Sequence, residues 1–462
     1  MKKITDISRT IIALATALGG GSIAVIRISG QNGIRLVNNV FKGKDLTAVA
    51  ANTIHFGRII EGTREIDQVL VSVFKAPHSY TGEDYVEVSC HANPYIIDDI
   101  LDLLIRQGAH PAEAGEFTLR AFLNGKMDLS QAEAVAGIIR AKSRKGVHNS
   151  LEQLNGILTS KMMLMKEELV NIVGLMEIDL DFAEENIDVA SKPDISSRLR
   201  ILENDLRLLG SSFNYAKLLD SGIHLTLIGE PNAGKSTLLN QLLGENRAIT
   251  SHIPGTTRDT IRENVVINDI LFSLVDTAGL RESRDELERE GIKRTKSQVL
   301  DSDMVLLIVD ASLTISALSW KLIQDTINWI QVPVIIVANK SDAGSKQVTI
   351  SNLQKLNKPI VKMSAKTGKG LTNLENAIVK TISKGYNALS DDIIITSRRQ
   401  KEVIEKTAEH INLARATLDK NWGFEYAAVD LRQALDILGE LTGETITDDI
   451  LKNIFSRFCI GK

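Results

Sequence analysis

Cysteine is scarce. Cys90 and Cys459 are the only two in 462 residues, too few for a disulfide framework and in keeping with a reducing compartment, so a cytoplasmic location is expected. Long apolar runs are missing as well. No uninterrupted stretch approaches the ~20 residues that cross a bilayer, and the apolar stretch behind Lys2 and Lys3 is broken by Asp6 and Arg9 and ended by Arg27, which argues against a signal or membrane segment. Neither sign of charge is in excess: 54 basic against 58 acidic residues leave a net charge of -4, so any RNA contact needs a local basic patch. Two runs could supply one, Lys142 to Lys145 (KSRK) and Arg398 to Lys401 (RRQK), although each also reads as a solvated helix surface. Cys90-His91 has no second ligand pair at zinc spacing. The terminal CIGK is no prenylation box, because Gly461 and Lys462 occupy its last two places.

What is present is ordinary for a soluble globular protein: 43% hydrophobic residues, 24% charged and a mean hydropathy of -0.01. At 462 residues the chain exceeds one hydrophobic core, and three domains are expected. The first ~120 residues mix β-type runs (Ile23 to Ile28, Val69 to Phe74, Tyr85 to Ser89) with a helical stretch at Ile96 to Gln107, an α+β pattern. From Ser130 to Leu219 long helical periodicity takes over. Gly222 to about Lys384 alternates apolar β-type runs (His224 to Ile228, Leu271 to Val275, Met304 to Val309, Val332 to Ala338, Ile360 to Met363) with helical stretches, which argues for a parallel sheet covered on both faces. The chain is helical again from Arg398. Because the ends of a compact domain often lie close together, the simplest arrangement inserts the α/β segment into one helical domain built from both flanks; two independent helical domains are the alternative. The expected fold is thus multidomain α/β plus α: an N-terminal α+β domain (1–121), a helical domain (122–220 plus 385–462) and an inserted P-loop α/β G domain (221–384).

The strongest chemical signal is Gly229-Glu230-Pro231-Asn232-Ala233-Gly234-Lys235-Ser236, which follows an apolar strand and opens a helix with Thr237. Such a loop turns backbone amides toward phosphates, Lys235 reaches the β/γ-oxygens, and the Ser236 hydroxyl ligates Mg²⁺. Downstream, a strand ends in Asp276-Thr277-Ala278-Gly279, where the carboxylate can hold the magnesium shell and the glycine amide can sense a γ-phosphate. Another strand runs into Asn339-Lys340-Ser341-Asp342. A carboxylate at Asp342 accepts both the N1 and N2 protons of guanine, a pairing adenine cannot offer, so GTP is the expected nucleotide and hydrolysis the expected reaction. Ser364-Ala365-Lys366 fits the loop backing the guanine ring. Between the first two elements, Thr250 to Asp259 includes Ser251, His252, Ile253, Pro254, Gly255, Thr256 and Thr257; Thr257 is placed to be a second magnesium-side hydroxyl ordered by the γ-phosphate.

On these motifs the segment resembles the TRAFAC-class translation-factor-related GTPases, with one departure. Leu280 follows DTAG, where Ras-type enzymes carry the glutamine that orients the attacking water. Asn232 in the cradle together with TTRD makes the segment similar to the potassium-activated GTPases, which implies K⁺ held by Asn232, Ser251, Ile253 and Thr256 in the place of an arginine finger. The same resemblance assigns Glu288, within the acidic run Arg281 to Glu290, as the residue that positions water.

The flanks narrow the family. Ala24-Val25-Ile26-Arg27-Ile28-Ser29-Gly30, Tyr80-Thr81-Gly82-Glu83-Asp84 with Glu87, Gly115-Glu116-Phe117-Thr118, Arg120 to Lys126 and the terminal Phe458-Cys459-Ile460-Gly461-Lys462 together resemble the MnmE (TrmE) family of tRNA-modification GTPases. The resemblance runs from end to end. It implies a cytoplasmic homodimer, a heterotetramer with the flavoprotein MnmG (GidA), tRNA as substrate with no membrane partner, and use of 5-formyltetrahydrofolate or a related folate. The product would carry a carboxymethylaminomethyl or aminomethyl group at C5 of the wobble uridine. Carried over by position, Arg27, Glu87, Lys126 and Lys462 would contact the folate, and Cys459 would belong to the modification centre. Arginine and lysine suit the glutamate and formyl oxygens, and a carboxylate suits the pterin donors. The runner-up is a GTP-dependent RNA-binding switch in ribosome assembly, whose KH-type GXXG module is missing from the tail. A membrane remodeller would need an amphipathic membrane element that the sequence lacks.

Overall fold

The computed structural model describes residues 8–19, 21–181, 191–246, 262–276, 299, 302–383, 394–456 and 458–461. The chain divides into two compact units, one formed by residues 1–136, 153–203 and 402–462, the other by 137–152 and 204–401.

The first unit opens with a seven-stranded sheet: β1 (Ile11–Leu14), β2 (Ile23–Ser29), β3 (Phe41–Lys42), β4 (Thr53–Glu61), β5 (Arg64–Phe74), β6 (Tyr85–His91) and β7 (His110–Pro111), in the order β3-β4-β5-β6-β2-β1-β7. Helices α1 (Gly33–Val40) and α2 (Pro94–Arg106) cover one face. The period-2 alternation in β5 explains this. Val69, Val71 and Val73 are buried while Gln68 and Leu70 are exposed, so one side of the strand enters the core and the other stays out. Helix α2 starts where Asn93 caps the Tyr95 amide and Pro94 occupies a position that needs no N–H donor. Helices α3 (Glu116–Leu123) and α4 (Leu129–Arg140) follow, then α5 (Arg144–Leu154), which belongs almost wholly to the second unit, α6 (Ile157–Asp181) of the first, and α7 (Lys192–Ser221), whose residues are shared between the two.

The second unit holds a six-stranded sheet of β8 (Ile223–Gly229), β9 (Arg262–Ile267), β10 (Ile270–Asp276), β11 (Met304–Asp310), β12 (Val334–Asn339) and β13 (Ile360–Lys362), ordered β13-β12-β11-β8-β10-β9. Five strands are parallel, and the central β11 and β12 show the near-continuous burial of such a sheet. The sixth departs from the expected parallel sheet: β9 pairs antiparallel with β10. The reason is local. Asn268 and Asp269 both take positive φ (47° and 63°), the left-handed pair that closes a two-residue hairpin. Helices α8 (Lys235–Asn246), α9 (Ala317–Trp329), α10 (Gln347–Gln354) and α11 (Leu371–Ser383) cover both faces. Leu225, Leu227, Leu306 and Ile308 meet Leu238 and Leu242 of α8 and Leu374 and Ile378 of α11 on one side. Val305, Leu307 and Ile336 meet Ile323 and Ile327 of α9 with Ile350 and Leu353 of α10 on the other.

The chain then returns to the first unit through α12 (Arg398–Asp419), α13 (Phe424–Thr442) and α14 (Asp448–Phe455). There Leu451, Phe455 and Phe458 pack against Leu119, Leu129 and Ala132, which binds the C-terminal end to α3 and α4.

Candidate nucleotide and folate sites

Strand β8 ends at Gly229 and α8 begins at Lys235, so the cradle sits at the C-terminal edge of a parallel sheet, where open α/β folds collect ligands. Two backbone positions shape the loop. Asn232 takes φ 61°, and Gly234 takes φ 99° so close to the Asn339 side chain that a Cβ there would overlap its amide nitrogen. The Lys235 ammonium donates to the carbonyls of Gly229 (2.8 Å) and Glu230 (2.9 Å), folding over the loop it must serve. Ala233 is buried beneath the loop, and Ser236 and Thr237 are exposed on the first turn of α8.

Asn339 ties three segments together. Its Nδ2 donates to the Ala233 carbonyl (2.8 Å) and its Oδ1 accepts from the Ala365 amide (2.8 Å), with the side chain 2% exposed. A carboxamide alone offers both a donor and an acceptor in this shape, so the cradle, the guanine reader and the Ser364 to Lys366 loop are fixed by one residue. Lys340, at φ 61°, sends its Nζ to Asp310 Oδ2 at 2.7 Å. Burial by itself would raise the Asp310 carboxyl, but hydrogen bonds from Lys340 and Ser312 and the Lys340 charge outweigh it and hold it below the usual carboxylate range. Asp342 is exposed. A hydrogen bond from Ser364 and its own backbone amide keep its carboxyl below the ordinary value, so it stands as an ionised double acceptor.

Asp276 ends β10 in parallel register with Leu227 of β8, which puts its backbone at the same sheet edge. Thr277, Ala278 and Gly279, the switch residues Ser251, His252, Ile253, Pro254, Gly255, Thr256 and Thr257, and Glu288 lie outside the described residues.

In the first unit, Arg27 of β2 and Glu87 of β6 face each other across the antiparallel ladder. Arg27 Nε donates to Glu87 Oε1 at 2.9 Å, and Nη1 donates to the Gly461 carbonyl at 3.1 Å. The Tyr85 hydroxyl donates to the same Glu87 oxygen at 3.1 Å, and burial pushes its phenol far above its usual range, so it remains a donor. Gly461 takes φ 86° against β1, where a Cβ would overlap the Leu14 carbonyl; only glycine lets the tail lie this close. The Cys459 carbonyl accepts from the Gly115 amide at 3.4 Å while its residue stays exposed. Cys90 is the opposite case, buried, with its thiol pushed up to about 11 by burial and the Asp67 carboxylate. Lys126 donates to the Pro77 carbonyl at 3.1 Å. Lys462 lies outside the described residues.

A profile of the MnmE helical domain matches residues 129–459, and one of the TrmE N-terminus matches residues 10–126. The tRNA modification GTPase MnmE of Flavobacterium psychrophilum is 43% identical over 459 residues, covering 98% of this chain and 99% of that protein. Its counterpart in Lactobacillus gasseri is 36% identical, covering 98% of each. The chain belongs to the MnmE family. It is accordingly a GTP hydrolase.

Sequence reasoning missed three participants. Tyr85 sits within a quoted β-type run, with nothing to mark its hydroxyl as a partner of Glu87. Asp310 ends an apolar strand as Asp276 and Asn339 do, and that shared position was the available signal. The third is Arg120, 0% exposed, which binds Glu116 (2.8 Å), Glu83 (3.1 Å) and the Arg9 carbonyl (2.8 Å). Two carboxylates from the family motifs therefore build the scaffold around a buried cation. The Glu116/Arg120 spacing of i,i+4 was the visible clue.

Proposed function

We propose that this chain couples GTP hydrolysis to modification of C5 of the wobble uridine in certain tRNAs, working as a cytoplasmic homodimer with the flavoprotein MnmG and drawing a one-carbon unit from a bound folate. The observation that supports this reading most directly is the Asn339 tie between phosphate cradle and guanine reader in a chain that aligns from end to end with tRNA modification GTPases. The three-part division at residues 121, 220 and 384, with the G domain inserted in the helical domain, belongs to the same reading.

In the nucleotide site, Lys235 would exchange its two loop carbonyls for β/γ-phosphate oxygens, and Asp342 would accept the N1 and N2 protons of guanine. Ser236 and Thr257 would hold Mg²⁺, which neutralises phosphate charge when bound. Asn232, exposed on the crest of the loop, fits a monovalent-cation ligand, with Ser251, Ile253 and Thr256 completing the set. A K⁺ there supplies the charge that an arginine finger supplies elsewhere. With Leu280 in the glutamine position, Glu288 orients the attacking water. In the first unit, Arg27, Glu87, Lys126 and Lys462 would hold the folate, and Cys459 would stand at the modification centre.

Nucleoside mass spectrometry of tRNA from cells lacking the gene tests the assignment. Loss of the C5 modification, restored by the wild type, is expected; normal wobble uridines without the gene would refute it. For the hydrolysis, turnover should rise with K⁺ over Na⁺ and collapse in Asn232→Ala, and indifference to both would sink the cation role.

A further inference from the structure

The two basic runs, far apart in sequence, both lie in the second unit. Asn149 of α5 donates to the Ile394 carbonyl at 3.0 Å and accepts from the Ile394 amide at 3.3 Å, while the Ile395 amide donates to Ser212 at 3.0 Å. Asn149 lies about 7.5 Å along the helix from Arg144. Ile394 stands four residues before Arg398, a span of at most ~14 Å. The fold thus ties the helix that KSRK opens to the segment just before RRQK.

Both runs also occupy the same unusual position. Ser143 takes the Gly146 amide (3.0 Å) at the start of α5, which opens with Arg144 and Lys145. Ser397 and Gln400 cap each other at the start of α12, which opens with Arg398 and Arg399. Neither first turn carries an acidic residue, and the helix macrodipole disfavours cations there. Beside the first run lies a hollow of about 430 Å³ bordered by Lys142, Arg144 and His148 with Val147 and Leu151. The nearby Asp269 is 3.9 Å from Arg144, but both side chains are exposed, at 57% and 90%, and such a pair is weak. Lys401 is engaged within the fold, 5.6 Å above the Phe213 ring.

We infer that this composite surface binds the phosphodiester backbone of tRNA and lays the substrate against the GTP-hydrolysing unit. A chain of net charge -4 needs such a concentrated patch to hold a polyanion. The inference rests on the tRNA-modification reading.

The test is fluorescence anisotropy of end-labelled tRNA with the full chain across a salt series, using the pairs Lys142→Gln/Arg144→Gln and Arg398→Gln/Arg399→Gln. Each pair should weaken binding about tenfold and flatten the log–log salt dependence by about one to two, since each phosphate contact contributes about 0.9. Basal GTP turnover and thermal midpoint should stay at wild-type values, and the charge-preserving Arg144→Lys should keep binding. An unchanged salt slope in both pairs would overturn the inference. So would displacement of tRNA by millimolar inorganic phosphate, which would mark a small-anion site, or absence of tRNA binding by the wild type. Those outcomes leave the modification reading standing if the deletion strain still loses its wobble modification.

Discussion

The two sheets carry their candidate sites in opposite ways. In the second unit the central strands β8, β11 and β12 are almost wholly buried, and the candidate residues cluster where strands end: Gly229, Asp310 and Asn339. In the first unit α1 and α2 cover one face of the sheet, while on the other Phe117 of α3 packs against Ile11, Ala13 and Tyr85, and Arg27 and Glu87 stand part-exposed in mid-strand, on alternate positions among buried valines and isoleucines. A parallel sheet gathers candidate residues at an edge, whereas a mainly antiparallel sheet with a partly open face presents them along its strands.

Three substitutions probe that contrast, beginning with the sheet edge. Gly234→Ala forces a side chain into a left-handed position against the Asn339 amide, so the cradle and the guanine reader must separate. Misplacement of about 1 Å costs about 100-fold in rate, and kcat/KM for GTP should fall by that order with folate binding intact. A normal kcat/KM would mean the Asn339 tie is not what aligns the site.

On the sheet surface, Arg27→Ala leaves Glu87 without its cation and the Gly461 carbonyl without its donor. Affinity for 5-formyltetrahydrofolate, read by calorimetry, should drop about tenfold or more, since a charged hydrogen bond contributes roughly 1.5–3 kcal/mol. GTP turnover should hold, and equal losses in both activities would erase the distinction between the two sites.

The smallest effect belongs to Asp310. Its folded carboxyl lies below the ordinary 3.8, so its contribution is present above that value and lost as pH falls through the depressed one. Asp310→Asn should therefore be less stable than the wild type by about 1 kcal/mol at neutral pH, and the gap should close below about pH 4. A gap that persists in acid would show that packing, not the Lys340 ion pair, is at stake.

The same contrast explains what could be read from sequence. Apolar runs announced β8, β10, β11, β12 and β13 because apolar residues dominate them, with isolated polar residues such as Thr226 and Ser273 between, and the motifs after them stood out as breaks in that pattern. Strand β4, with its buried and exposed residues mixed as Thr-Ile-His-Phe-Gly-Arg, gave no such run, and short β9 is defined by its hairpin with β10. The nucleotide residues were legible one by one because phosphate and guanine recognition needs contiguous backbone. Arg27 and Glu87 were visible only through resemblance, because their pairing comes from strand register, and the approach of Gly461 comes from tertiary packing of the tail on β1. Asp310 was hidden for a related reason: its role depends on the left-handed turn at Lys340, which no pattern along the chain records.

The central claim, that the edge of the parallel sheet reads guanine through Asp342, has a direct measurement: turnover of GTP against XTP by the wild type and by Asp342→Asn. Replacing the double acceptor with an amide should cut GTP turnover at limiting substrate by about 100-fold or more and shift preference to XTP, because the buried donors of guanine lose their partner while the 2-oxo group of xanthine gains a donor. An Asp342→Asn enzyme that still prefers GTP would contradict it.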